Sequence, residues 1–180
     1  MRAGDDQLEG GGALIQVYTG NGKGKTTAAL GLGLRAAGAG LKVFIGQFLK
    51  KRNYAELNAL RKIRNIELRQ FGRRCFIKRS PACSDIRLAR RGFEKIKKIV
   101  VSKDCDVVIL DEINVALDLK LIPINEFIIF LKEAPQDVEL ILTGRNAHPA
   151  ILKIADLVSE IKEKKHYYKK GVKARRGIEF

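Results

Sequence analysis

Short apolar runs alternate along the chain with stretches whose apolar positions recur every three or four residues. Ala13–Thr19 (ALIQVYT) is apolar, partly β-branched and closed by a glycine cluster, which predicts a buried strand. Thr26–Ala39 is rich in Ala and Leu and stops at Gly40, which predicts a helix. Its apolar residues run all the way round, so the pattern predicts burial on most sides. Lys42–Phe48 (KVFIGQF) predicts a second strand. Ile86, Ala89, Phe93, Ile96 and Val100 advance by 3, 4, 3 and 4 and form one helix stripe, with Ser80 before Pro81 as the start signal.

Val107–Asp111 (VVILD) predicts another buried strand, ended by acidic residues. Ile124, Phe127, Ile128 and Leu131 predict a helix that begins near Pro123. Glu139–Thr143 (ELILT) predicts a strand running into Gly144. Ile151–Ala155 reads as a short helical piece, and Leu157–Ile161 as a last strand before a basic tail. Strands separated by helices imply βαβ units, hence an α/β fold with a mostly parallel sheet. The expected organisation is one domain over residues 13–180 after a flexible leader, residues 1–12 (MRAGDDQLEGGG).

Composition narrows the classes. Of 180 residues, 46% are hydrophobic, which excludes a wholly disordered chain despite a net charge of +15. No apolar run approaches the roughly 20 residues of a membrane-spanning helix, and the leader has no apolar region of the secretory type. Three cysteines (Cys75, Cys83, Cys105) without a CxxC pair argue against a disulfide framework and a zinc site, so the reducing cytosol is the expected compartment. Residues 50–103 carry 18 Lys+Arg against 4 Asp+Glu, a local excess of +14 that accounts for nearly the whole net charge. Such a field concentrates nucleoside triphosphates, nucleic acid or acidic protein surfaces. It equally describes solvated helix faces, since Arg87, Arg90, Arg91, Lys95, Lys97 and Lys98 fall mainly off the apolar stripe.

The most specific chemistry lies in Thr19-Gly20-Asn21-Gly22-Lys23-Gly24-Lys25-Thr26-Thr27, between a predicted strand and a predicted helix. That is the context of a phosphate-binding P-loop. Glycines let the backbone turn its N–H groups inward, and the helix N-terminus adds partial positive charge. Lys25 can reach phosphate oxygens, Thr26 can offer its hydroxyl to Mg²⁺, and Lys23 adds a second cation. Thr19 stands where the usual pattern has its first glycine, and Gly20 follows one residue late.

The strand ending in Asp111-Glu112 fits the partner element, because carboxylates at a strand's C-terminal end can hold Mg²⁺ directly or through water. In an open parallel sheet that edge is where ligands bind. Gly144-Arg145-Asn146 arrives at the same edge, where Arg145 is either a bidentate triphosphate ligand or a residue of a surface turn. His148 and His166 read as ordinary surface or packing residues.

Taken together, VYTGNGKGKTTAALGLGLRAAGAG, VFIGQFLK, VVILDEIN, LILTGRNAH, ADLVSEIKEKKH and the closing GVKARRGIEF resemble the P-loop type of ATP:corrinoid adenosyltransferases, over about Ile15 to Phe180. The resemblance implies a RecA-like fold with helices on both faces of the sheet and a homodimer. It implies transfer of the 5′-deoxyadenosyl group of ATP to the Co(I) centre of a reduced corrinoid, with release of triphosphate, in adenosylcobalamin biosynthesis or salvage. Co(I) would attack the ribose C5′, with the nucleotide reversed in its loop relative to P-loop hydrolases.

The ATP-binding residues so implied are Gly20, Asn21, Gly22, Lys23, Gly24, Lys25, Thr26, Thr27, Arg35 and Arg145. Lys23, Lys25 and Arg145 would stabilise the leaving triphosphate, and Thr26, Asp111 and Glu112 would hold Mg²⁺ or Mn²⁺. Arg35 matches a family arginine and equally reads as a helix-face residue. Phe76 matches a corrinoid-contacting phenylalanine, whereas Lys78 stands where related chains carry a second aromatic and the chain has no tryptophan. An electron-donating flavoprotein is an implied partner; a membrane and nucleic acid are not. The competing readings are a RecA-type ATPase stimulated by nucleic acid and a small-molecule kinase.

Overall fold

Val43, Phe44 and Ile45 show how the sheet sorts its core. They sit in adjacent positions of one strand, so their side chains leave on alternate faces. Phe44 joins an apolar layer with Val108, Leu110, Leu140 and Leu142, whereas Val43 and Ile45 join Ile109 and Ile141 on the other side. Strands buried on both faces read as continuous apolar runs, the pattern of a parallel sheet. The computed structural model describes residues 14–51, 54–73 and 80–179. Its strands are β1 (Ile15–Thr19), β2 (Val43–Phe48), β3 (Ile66–Phe71), β4 (Val107–Asp111), β5 (Glu139–Thr143) and β6 (Leu157–Glu160). They form one sheet in the order β3-β2-β4-β5-β1-β6, with every pairing parallel.

The helices are α1 (Lys25–Gly38), α2 (Ala55–Leu60), α3 (Cys83–Ser102), α4 (Ile113–Asp118), α5 (Ile124–Glu133) and α6 (Pro149–Ile154), followed by a 3₁₀ turn at Tyr167–Lys170. Residues of α3, α4 and α5 pack with Phe44 on one face, and Ala29 and Ala36 of α1 pack with Ile45 on the other. The α/β architecture with helices on both faces is therefore the one expected. Among the described residues no helix is long and apolar enough to cross a membrane, and Cys83 and Cys105 are free thiols.

The stripe of α3 is core: Ala89, Phe93, Ile96 and Val100 are buried, and the Phe93 ring meets Phe130 edge-on with centroids 5.3 Å apart. The helix begins at Cys83, two residues beyond the proline start signal. The reason is Asp85, whose carboxylate accepts the Ala82 N–H at 2.9 Å and so serves the first turn without Ser80. Arg73 donates to the same carboxylate through Nε and Nη2, both at 2.6 Å, and holds its pKa below the ordinary value. A depressed folded pKa means that the pair stabilises fully above the unfolded value of about 3.9 and fades as pH falls through the folded one. Asp85→Asn is therefore expected to cost about 1–2 kcal/mol at pH 7, since Arg73 stays partly solvated. In urea titrations the gap between variant and parent should close below about pH 4; a gap independent of pH would contradict the assignment.

Helix α1 departs from expectation. Only Lys25, Ala29, Gly33 and Ala36 are buried, and Leu34 is 53% exposed. Its apolar residues serve two surfaces: one face lies on the sheet, and Leu30 and Leu34 line a cleft. The last strand, β6, forms the sheet edge beside β1, with all four residues exposed.

Candidate active site

Parallel register brings the carboxyl ends of β1, β2, β4 and β5 to one edge: Tyr18 pairs with Thr143, and Gln47 pairs with Asp111. The loop after β1 turns at Gly20, whose φ of 94° lies in the region that favours glycine. A Cβ on Gly20 would also stand 2.5 Å from the Ile161 carbonyl oxygen. Gly22 donates its N–H to that oxygen at 2.7 Å, so the loop is seated against the chain beyond β6. Gly24, at φ 121°, is the N-cap of α1. Lys25 is buried, and its ammonium donates to the carbonyls of Gly20 and Gly22, each at 2.7 Å. Burial, and then Arg145, push its pKa down against the pull of Glu112 and Asp111.

Asp111 is the hub of the edge. Its carboxylate is fully buried and accepts the hydroxyls of Thr26 (2.8 Å) and Thr143 (2.7 Å), the Gln47 amide (3.1 Å) and the Lys50 ammonium (2.8 Å). Burial alone would raise its pKa, but Lys50 and the two hydroxyls outweigh burial and hold it below the ordinary value. Four donors occupy the four acceptor positions of a carboxylate. Glu112 has a different character. It takes a left-handed φ of 63°, and its backbone N–H donates to the Thr143 hydroxyl at 3.0 Å. Among the described residues its carboxylate accepts no hydrogen bond, and burial followed by Asp111 raises its pKa.

A divalent cation fits this donor set. Thr26 donates its proton to Asp111 and accepts the Lys50 ammonium at 3.3 Å, which leaves one oxygen lone pair for a metal, while the Glu112 carboxylate is an uncommitted hard oxygen donor. Asp111 would then hold the metal through Thr26. Among the described residues no group of three or more His, Cys, Asp or Glu could gather a metal, so the donors here are one carboxylate and one hydroxyl.

These groups open on a cleft of about 1030 Å³. Of the candidate residues, Asn21, Gly22, Lys23, Gly24, Lys25, Thr26, Thr27, Glu112 and Arg145 line it together. Asp111 lies behind Thr26 and Lys50. Arg35 is exposed on α1 with its charge near the Tyr18 phenol and is not among the lining residues. Phe76 and Lys78 lie outside the described residues. His148 and His166 cap local turns, each accepting a backbone N–H at Nδ1, from Ala150 (3.2 Å) and Tyr168 (3.1 Å) respectively.

Sequence reasoning missed Lys50, Gln47 and Thr143, all partners of Asp111. The available signal was the edge rule itself, since β2 and β5 deliver their last residues to the same place. It also missed the tail, where Tyr167 and Glu179 bind Lys23.

A glycine-rich loop between β1 and α1, with a buried carboxylate at the end of β4, defines a nucleotide-binding α/β protein of the P-loop class. Residues 12–180 match the family described as ATP:corrinoid adenosyltransferase BtuR/CobO/CobP. The corrinoid adenosyltransferase of Escherichia coli K12 is 35% identical over 173 residues, covering 93% of this chain and 85% of the relative. That of a Sinorhizobium species is 35% identical over 93% of this chain and 80% of its own length. That of Pseudomonas aeruginosa is 30% identical over 93% and 83%. The chain belongs to the ATP:corrinoid adenosyltransferase family.

Proposed function

We propose that this chain transfers the 5′-deoxyadenosyl group of ATP to the Co(I) centre of a reduced corrinoid, and that the cleft is where it does so. The observation that carries the site assignment is that Lys23, Lys25 and Arg145 line one cleft with the other residues of the glycine-rich loop from Asn21 to Thr27. Attack of Co(I) on C5′ forms a Co–C bond and breaks C5′–O, and the electron pair leaves on the triphosphate. Negative charge grows on that leaving group, so donors already fixed around it lower the barrier. Lys25 is fixed by two carbonyls, and the N-terminus of α1 adds its dipole. The nucleophile needs no deprotonation, which is consistent with a site that presents cations and a metal-competent carboxylate in place of an acid–base pair. Thr26 and Glu112 would hold Mg²⁺ or Mn²⁺, which when bound neutralises phosphate charge.

The remaining proposals are a homodimer and an electron-donating flavoprotein that supplies Co(I), both implied by the sequence resemblance, and a cytosolic location, read from the cysteine pattern. The comparisons do not favour the nucleic-acid-stimulated ATPase, and the exposed arginines of α3 read as a solvated helix face. The deciding assay is anaerobic and dark, with ATP, Mg²⁺ and chemically reduced cobalamin. The expected products are a light-sensitive Co–C compound and inorganic triphosphate in equal amounts. Orthophosphate or ADP in place of triphosphate, or stimulation by DNA, would overturn the proposal.

A further inference from the structure

The closing GVKARRGIEF has so far carried no role. In the fold residues 171–179 return to the phosphate loop. Gly171 and Gly177 adopt φ of 77° and 78°, conformations that favour glycine, and beyond them Ile178 and Glu179 line the cleft. Lys23 Nζ donates to the Tyr167 hydroxyl at 2.7 Å and to Glu179 Oε1 at 2.9 Å. The Tyr167 hydroxyl donates to that same Oε1. The Arg175 N–H donates to Oε2 at 2.7 Å, and its guanidinium reaches Oε1 at 3.2 Å. The Lys23 ammonium and the Arg175 guanidinium also lie 5.4 and 5.0 Å from the centre of the Tyr167 ring, within cation–π range.

The Glu179 side chain is only 18% exposed within this cluster. Two cations face one carboxylate, so the cluster stays net positive beside the loop. A lysine ammonium has three donors, and two are committed here. An exposed lysine otherwise spends rotamer freedom when it meets a phosphate, and a group already held in place spends less.

We infer that Glu179 is a positioning residue of the ATP site, which acts by holding Lys23 against Tyr167 with one N–H left for the polyphosphate. The inference rests on the proposed seating of the triphosphate in this loop. It makes the C-terminal segment a working part of nucleotide binding.

A double-mutant cycle tests it. KM for ATP, KM for the corrinoid and kcat are measured on the full chain for the parent, Lys23→Ala, Glu179→Ala and the double variant. Glu179→Ala should raise KM for ATP about tenfold, the usual effect of losing a hydrogen bond to a charged group. KM for the corrinoid should stay within about twofold, kcat should fall no further than it does in Lys23→Ala, and the double variant should match Lys23→Ala within about twofold, because the two residues act as one unit. Glu179→Gln keeps an acceptor and should fall between. An unchanged KM for ATP in either single variant, or effects that multiply in the double, would overturn the inference. Should Glu179→Ala unfold, Tyr167→Phe removes one hydroxyl from the same cluster and must show the same non-additivity with Lys23→Ala. The two proposals fail separately: inert Glu179 variants beside an inactive Lys25→Ala remove only the tail's role, whereas an active Lys25→Ala removes the loop assignment itself.

Discussion

Lys25→Ala is expected to lower adenosyl transfer by about 10²–10³-fold, the scale of losing one fixed donor to a charge that develops in the transition state. The fold should survive. The substitution deletes two hydrogen bonds to Gly20 and Gly22, but it also removes a buried cation whose charge is disfavoured by burial and by Arg145. Unfolding in urea should therefore shift by no more than about 1–2 kcal/mol. Lys25→Arg should not rescue, because a planar fork does not fit a hole shaped by two carbonyls for a compact ammonium. Turnover in Lys25→Ala within about tenfold of the parent would show that the triphosphate does not lie against this residue.

Asp111→Ala should give the largest loss of stability of any single change at the site, about 3–5 kcal/mol. Four donors lose their acceptor together, and the Lys50 ammonium, whose side chain is 17% exposed, loses its counter-ion. Of these, the stranded charge is the costliest. The sign of a second substitution follows: adding Lys50→Met to Asp111→Ala should recover part of the stability, since an apolar side chain of similar length leaves no ion to desolvate. Urea unfolding of the two variants and the parent decides it. A loss under about 1 kcal/mol, or no recovery in the double variant, would mean that Lys50 reaches water freely and that Asp111 is not the hub described.

Much of the fold was legible because several strands are buried on both faces. β1, β2, β4 and β5 announce themselves as apolar runs, and α3 as a stripe. β3 (Ile66–Phe71) does not: it is the edge strand of the basic third, and its outward residues Glu67 and Arg69 pair with each other at 2.6 Å on the surface. α4 follows Glu112 directly, with no side-chain cap to mark its start. The phosphate loop was legible because its chemistry is local, contained in nine successive residues.

The environment of Asp111 was not legible. Gln47, Lys50 and Thr143 reach it only through the register of three parallel strands, which no local pattern encodes. The Glu179 contact joins residues 156 positions apart and depends on two left-handed glycines in the tail. Arg35, a family-matched position that equally reads as a helix-face residue, is exposed on α1.

The seating of Gly20 and Gly22 against Ile161 sets an order of events for the growing polypeptide. A nascent chain that has emerged only as far as β5 already contains the whole glycine-rich segment, yet nothing braces it on its outer side. If ATP seats in this loop as proposed, competence to hold it is expected late in translation, once the final strand docks beside the first, since contacts of such long sequence separation are slow to form. Nucleotide is then expected to stabilise the assembled domain, as any ligand that binds only the folded state does.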